Sequence, residues 1–385
     1  MKETARSIHV LDLPEPARFP HSLRGYIRFA SRGTIWFAIG AVAIAWIPVA
    51  VLSAIRGFES LKSFLFDYAA QTRILVVIPI LILAEPPLVA RLRAIGDHFL
   101  DEGLVSDKDI PRFKARLALL KQRNSPWVWV VIVCLIYGFT AYALSTAEAN
   151  ALMRWCYGPD GFSVFSRPGS WYVLISLPIV LILVGHWLWQ QLVWFRFLGT
   201  VAGMDLQLIP SHPDRSAGLG FVQSCIRGYF PFAFAIGTIV AGGVANHVVY
   251  LHQRLEVFQY LPLVVIGIVV SVCVSPLCLF LGTLLRTKQR GIFQYGVLAI
   301  TLGQEFEKKW LAAGAVQEGT LQVPDFSATT DLYSIAANVY AMNPLPLGMR
   351  PVTRLIVAAL APALPLAFVV LPFDVILHDV MKLFF

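Results

Sequence analysis

The chain has 385 residues, 57% of them hydrophobic and only 14% charged, with a mean hydropathy of +0.68. A soluble domain carries about 25% charged residues, so an ordinary water-soluble protein is excluded and lipid is the solvent for much of this chain. The formal charge of +8 is therefore read against a membrane surface, with no nucleic-acid partner expected.

Residues 1–33 form a cytoplasmic segment carrying Pro14, Pro16, Pro20 and several arginines. The first apolar run, Thr34–Ile55, is longer than a signal-peptide core and predicts a retained spanning helix. Six more runs near 20 residues predict further spans: Ile74–Ala90, Pro126–Thr146, Trp171–Phe195, Phe230–Tyr250, Leu261–Leu284 and Leu355–Phe373. The second is interrupted by Glu85-Pro86-Pro87. The seventh carries Pro362, Pro365 and Pro372, so it either spans or is re-entrant. The fold class expected is an all-α, polytopic transmembrane helical bundle of about seven spans with amphipathic cytoplasmic helices. The bundle covers 34–373, with cytoplasmic loops at 91–125, 196–229 and 285–354 and a short tail at 374–385.

Orientation follows from lysine and arginine. With a cytoplasmic N-terminus, the inside segments hold 24 of them and the outside segments 7, which accounts for all 31. Basic residues are retained on the cytoplasmic side, so the N-terminus is expected inside, and the C-terminus outside if all seven runs span. Trp127 and Trp129 open the third span and Trp171 the fourth; Trp187, Trp189 and Trp194 gather near the fourth span's inner end, as amphipathic indoles do at an interface.

The inside connections are the large ones. Leu104, Ile110, Phe113, Leu117 and Leu120 lie within a charged segment, Asp97–Asn124, which reads as one or two amphipathic helices. Arg290–Ala313 reads as another, lying against the membrane or bundle, and Thr320–Arg350 as a short helix between loops. Small residues recur every fourth position in the fifth span (Gly237, Ala241, Ala245) and the sixth (Gly267, Ser271, Ser275). A close antiparallel pair is the expected consequence.

Three ionisable groups fall inside spans: Glu85, His186 and His247. Such residues are costly in lipid and face a bundle interior or a water-filled cavity. Glu85 and His186 both map to the inner half, with Gln190 on the same helix face as His186. The two can meet as an ion pair or a proton-handling pair. Against this stand a carboxylate snorkelling to the surface and a neutral, hydrogen-bonded core histidine. His247, beside Asn246, maps to the outer end. The five cysteines show no paired spacing, and no HExxH, CxxC pair, GxxxxGK[ST] or GxSxG occurs, so no metal or cofactor is expected.

The densest polar run lies between the fourth and fifth spans, at Ile209-Pro210-Ser211-His212-Pro213-Asp214-Arg215-Ser216-Ala217-Gly218-Leu219-Gly220-Phe221. Two prolines forbid a continuous helix there, and Gly218 and Gly220 permit close backbone approach. His212, Asp214 and Arg215 make it either a gate or binding loop, with Arg215 and glycine N–H groups suited to an anion, or a connector that fixes how two spans sit. The tripeptide His212-Pro213-Asp214 is shared with the loop of J-domain co-chaperones, but there it joins charged helices of a soluble domain.

Gly169-Ser170-Trp171-Tyr172, Ser176-Leu177-Pro178, Trp187-Leu188-Trp189 and the Pro210–Phe221 loop together resemble a family of uncharacterised bacterial multi-pass membrane proteins. That family has two adjacent glycines where this chain has Ala217-Gly218, and an arginine near the position of His186. The resemblance implies an inner-membrane location and brings no activity with it. The leading expectation is a channel or transporter for a small solute or ion, acting as a homo-oligomer, with Glu85, His186, Gln190, His212, Asp214 and Arg215 as pathway or binding residues. A membrane scaffold or assembly factor and a membrane-embedded lipid-processing enzyme are the alternatives.

Overall fold

Apolar runs of this length can satisfy their backbone polar groups in lipid only as helices or closed barrels, and here they form helices. The computed structural model describes residues 31–121, 138, 154–157, 165–310 and 324–366. The expected third span, Pro126–Thr146, lies outside these, as do residues 1–30, the end of the seventh run and the 374–385 tail.

The elements in order are α1 (Arg32–Arg56), α2 (Phe58–Leu65), α3 (Tyr68–Gln71), α4 (Ile78–Asp101), α5 (Ile110–Lys121), α6 (Arg167–Trp171), α7 (Leu177–Ala202), α8 (Cys225–Gly228), α9 (Phe230–Leu251), α10 (Leu261–Cys278), α11 (Leu281–Trp310), α12 (Pro324–Tyr340) and α13 (Met349–Leu360). Six helical stretches are long and apolar enough to cross a membrane: Arg32–Arg56, Tyr68–Asp101, Arg167–Ala202, Gly220–Leu251, Leu255–Cys278 and Met349–Leu366. The protein is a multi-pass helical membrane protein. Among the described residues there is no strand, only isolated bridges at Val105–Leu206 and Tyr157–Phe165.

Several local expectations are revised. The helix does not break at Pro86 and Pro87; α4 runs through both and on to Asp101. The prolines instead deprive the Ile82 and Leu83 carbonyls of their helical donors. The arm after the sixth span starts earlier than Arg290: one 30-residue helix, α11, runs from Leu281 and pairs with α12, where Phe306 and Trp310 meet Phe326 at 4.9 and 5.1 Å between ring centroids. The seventh run also starts earlier, at Met349, and tightens into a 3₁₀ turn at Ala361–Ala363 around Pro362.

The small-residue faces of the fifth and sixth spans do not meet as expected. A Cβ at Gly237 would overlap the carbonyl of Ala359, so α9 lies against α13 at this point. A Cβ at Gly242 would overlap Thr72 Oγ1, so the same helix also abuts the start of the second span. Gly267 has nothing within 4 Å, and it and Ser271 are exposed. Small residues permit close approach but do not name the partner.

Two of the expected interfacial tryptophans are in the core instead. Trp187 and Trp194 are buried; Trp187 stacks on Phe232 at 5.7 Å and donates to the Leu81 carbonyl at 3.1 Å, and Trp194 stacks on Phe197 at 5.3 Å. Indole area is worth more against neighbouring rings than at the water boundary when a carbonyl takes its N–H. Trp171 donates to the Ile44 carbonyl, midway along α1. Beside it, buried Ser176 donates to the Ala45 carbonyl at 2.7 Å. These bonds fix α7 against α1 and thereby set where its later residues, His186 and Gln190, fall.

Candidate functional site

Glu85 lies two turns before the exposed Arg93 on α4, and His186 and Gln190 lie one turn apart on α7. The α4–α7 contact brings all three together. His186 Nε2 is 2.8 Å from Glu85 Oε1, Gln190 Nε2 is 3.1 Å from the same oxygen, and Gln190 Nε2 is 2.7 Å from His186 Nε2. The side chains of Glu85 and His186 retain 29% and 12% of their exposure, so this is a partly open site and not a sealed core pair. The Gln190 Oε1 atom is buried and has no hydrogen-bond partner among the described residues.

The trio lines a cleft of about 710 Å³. Its other walls include Ser31, Thr34 and Phe37 at the start of α1, Trp189 on α7, and Ile82 and Arg93 on α4. Ser31 caps α1, its Oγ accepting from Thr34 N at 3.2 Å, so the α1 wall of the cleft is the amino-terminal end of that helix. Ile82 also lines it, one turn before Pro86 on α4.

His212, Asp214 and Arg215 do not line the cleft. Their loop is closed on itself. Asp214 Oδ1 accepts from the N–H groups of Ser216 (2.8 Å) and Gly218 (3.1 Å), and Oδ2 accepts from Gly220 (2.8 Å). His212 Nδ1 is 2.8 Å from Oδ1. Burial pulls the Asp214 carboxyl upward, but the Ser216, Gly220 and Gly218 N–H groups and His212 outweigh it and hold the value below the ordinary 3.8. The backbone donors proposed for an anion are thus already taken by the protein's own carboxylate. To wrap round it, Arg215, Ala217 and Gly218 adopt left-handed backbone, with φ of 56°, 56° and 95°; only the glycine does so without steric cost. The Arg215 side chain is exposed.

The loop's outer surface ties the α11–α12 arm to the bundle. Ser211 and Tyr295 hydroxyls are 3.2 Å apart, Asn343 N donates to the Arg215 carbonyl at 2.7 Å, and a Cβ at Gly291 would meet Pro210. Before the loop, Gln207 N donates to the Leu104 carbonyl at 2.8 Å.

One polar cluster was not singled out in the sequence. Asp67 is buried between α2 and α3 and caps α3 through Ala70 N at 2.9 Å. Its carboxylate also accepts from Trp155 Nε1 at 2.9 Å and Asn246 Nδ2 at 2.8 Å. Nearby, Arg73 donates to the Tyr172 hydroxyl at 3.2 Å, each residue lying in a π-helical turn (Thr72–Val77 and Tyr172–Ser176). Arg56, at the far end of α1 from the cleft, donates to the Trp155 carbonyl at 2.9 Å. The Asp67 carboxylate thus joins three stretches of chain, around residues 67–70, 155 and 246. The signal in the sequence is an Asp just before Tyr-Ala-Ala, an N-cap placement. His247 lies at this end too, its ring 5.6 Å from that of Phe258.

The described residues hold no group of three or more His, Cys, Asp or Glu side chains placed to share a metal ion. No family model matches the chain, and neither a curated protein nor a solved structure matches it. Fold and site together define a class, a polytopic helical membrane protein with an open polar cleft between its spans; its particular activity must be read from the cleft.

Proposed function

We propose that this protein moves a small solute or an ion across a bacterial-type cytoplasmic membrane, with the cleft as its vestibule. The observation that carries this reading is the convergence of Glu85, His186 and Gln190 on a cleft of about 710 Å³ in the spanning region. Polar side chains in lipid are retained where they serve a pathway, and the space here is large enough for a small hydrated solute. The lysine and arginine asymmetry supports a cytoplasmic N-terminus, and in this scheme the α1 wall of the cleft, at Ser31, faces the cytoplasmic side. The Asp214 loop is a structural clasp in this scheme.

Reconstitution into liposomes and flux measurement over a panel of ions and small solutes tests the reading. Flux above empty liposomes that is lost in Glu85→Ala supports it. No flux for any member of the panel, or flux indifferent to Glu85→Ala, counts against it.

A membrane scaffold is supported by a different feature. On α11, Phe293, Val297 and Ile300 lie on one face and are 75%, 65% and 63% exposed. A stoichiometric partner that co-purifies and is lost in Phe293→Asp would favour that reading. The lipid-processing enzyme loses support, because His212 and Asp214 do not share the cleft with Glu85 and His186.

A further inference from the structure

The cleft wall carries charges of both signs. Among the described residues that line it, Glu85 is the one acid and Arg93 the one permanent cation. Both stand on α4, eight residues apart, which is about 12 Å along the helix axis and about 80° round it. Glu85 pairs with His186 and not with Arg93. Arg93 is exposed and makes no hydrogen bond or ion pair with another described residue. Glu85 keeps 29% of its side-chain exposure while His186 and Gln190 fix its Oε1, so the carboxyl is both positioned and reachable.

Between the two charges the wall is apolar. Val89 and Ala90 separate them on α4, and Phe37, Leu183 and Val193 add apolar surface from α1 and α7. A cation alone gains Glu85 but is repelled by Arg93. An anion alone gains Arg93 but is repelled by Glu85. A molecule with both charges gains at both ends, and methylenes between them cover the apolar wall. The space of about 710 Å³ is ample for a chain of a few carbons.

We infer that the cleft recognises a small zwitterion whose ammonium and acidic groups are separated by a short methylene chain. The inference rests on reading the cleft as a transport vestibule and names the substrate class of that same site. The ammonium donates to Glu85, whose direction is set by His186 and Gln190 on α7. Arg93 donates to the acidic group, its planar fork matching the oxygens of a carboxylate or a phosphate. The same pair of charges occurs on a free solute and on the headgroup of phosphatidylethanolamine, and the test separates these sources.

The test is equilibrium binding to purified full-length protein in nanodiscs of phosphatidylglycerol, a lipid without an ammonium group, measured in excess of empty discs. Three probes of one length are compared: 5-aminopentanoate, pentylamine and pentanoate. Wild-type protein should bind 5-aminopentanoate at least about tenfold more tightly than either singly charged probe, the worth of one hydrogen bond to a charged group. Arg93→Gln should bring its affinity down to that of pentylamine, and Glu85→Gln to that of pentanoate. Arg93 is exposed, so its variant keeps the fold and decides the matter even where Glu85→Gln does not fold. Equal binding of 5-aminopentanoate and pentylamine by the wild type, unchanged affinity in Arg93→Gln, or no binding of any probe overturns the inference.

Adding phosphatidylethanolamine to the discs distinguishes the sources. Binding of 5-aminopentanoate that falls as this lipid rises assigns the headgroup; unchanged binding assigns a free solute. Either result keeps the charge pair as the recognition element. Flux separates the inference from the reading beneath it. Tight zwitterion binding without flux keeps the site and rejects the vestibule. Flux of an inorganic ion that is lost in Glu85→Ala, with no zwitterion binding, keeps the vestibule and rejects the zwitterion.

Discussion

Glu85 and Asp214 are both part-buried carboxylates with a histidine nitrogen 2.8 Å away, yet the protein holds them in opposite ways. Asp214 meets three backbone N–H groups of its own loop, donors that cannot leave unless the loop unfolds. Glu85 meets two side chains on another helix, at the edge of a cleft. Backbone donors saturate an ionised carboxylate and make it a strut. Side-chain partners on a separate helix can part, so the contact can respond to a proton or a ligand. The difference lies in who the partners are, and motif density does not report it.

The comparison breaks most visibly at Asp214. Asp214→Ala leaves three loop N–H groups without their acceptor. At about 1–3 kcal/mol for each buried unsatisfied donor, discounted for the loop's partial exposure, a loss of about 3 kcal/mol is expected. A fall in the thermal midpoint of purified protein would show it, together with looser attachment of the α11–α12 arm in proteolysis.

The next effect is on acid stability. The folded value of the Asp214 carboxyl is lowered, so its contribution is complete above the ordinary carboxylate value and is lost as pH falls through the lowered one. Wild-type protein should lose a component of stability below pH 3.8, and Asp214→Asn should lack it. An unchanged acid profile in that variant would remove Asp214 from its role as a strut. His212→Ala has the smallest effect on stability, on the order of 0.5 kcal/mol, because its contact is exposed and screened. Glu85→Gln, by contrast, should act on flux, measured in liposomes, with little change in melting.

The spans were legible because long apolar runs allow little but a helix in lipid. The meeting of Glu85 with His186 was legible too, since both are titratable residues at the same depth. What could not be read was which helix faces which. Gly237 shows that α9 can be approached closely, but only the fold reveals Ala359 of α13 opposite it. Trp187 and Trp194 looked interfacial because composition does not show that aromatic rings and a carbonyl await them inside. The role of Asp214 was hidden for a related reason: the same residues spell an anion site or a self-filled turn, and backbone angles at Arg215, Ala217 and Gly218 decide between them. Asp67 went unnoticed because two of its partners, Trp155 and Asn246, are distant in sequence.

Thermal melting of Glu85→Gln and Asp214→Asn side by side, in one detergent at neutral pH, tests the contrast most directly. If Glu85 is held only by side chains that can part, an amide of the same shape keeps part of those contacts, and the midpoint stays near that of the wild type. Asp214→Asn turns an acceptor into a donor facing backbone N–H groups and should melt clearly lower. The contrary result, Glu85→Gln falling as far as Asp214→Asn, would mean that Glu85 is a second strut.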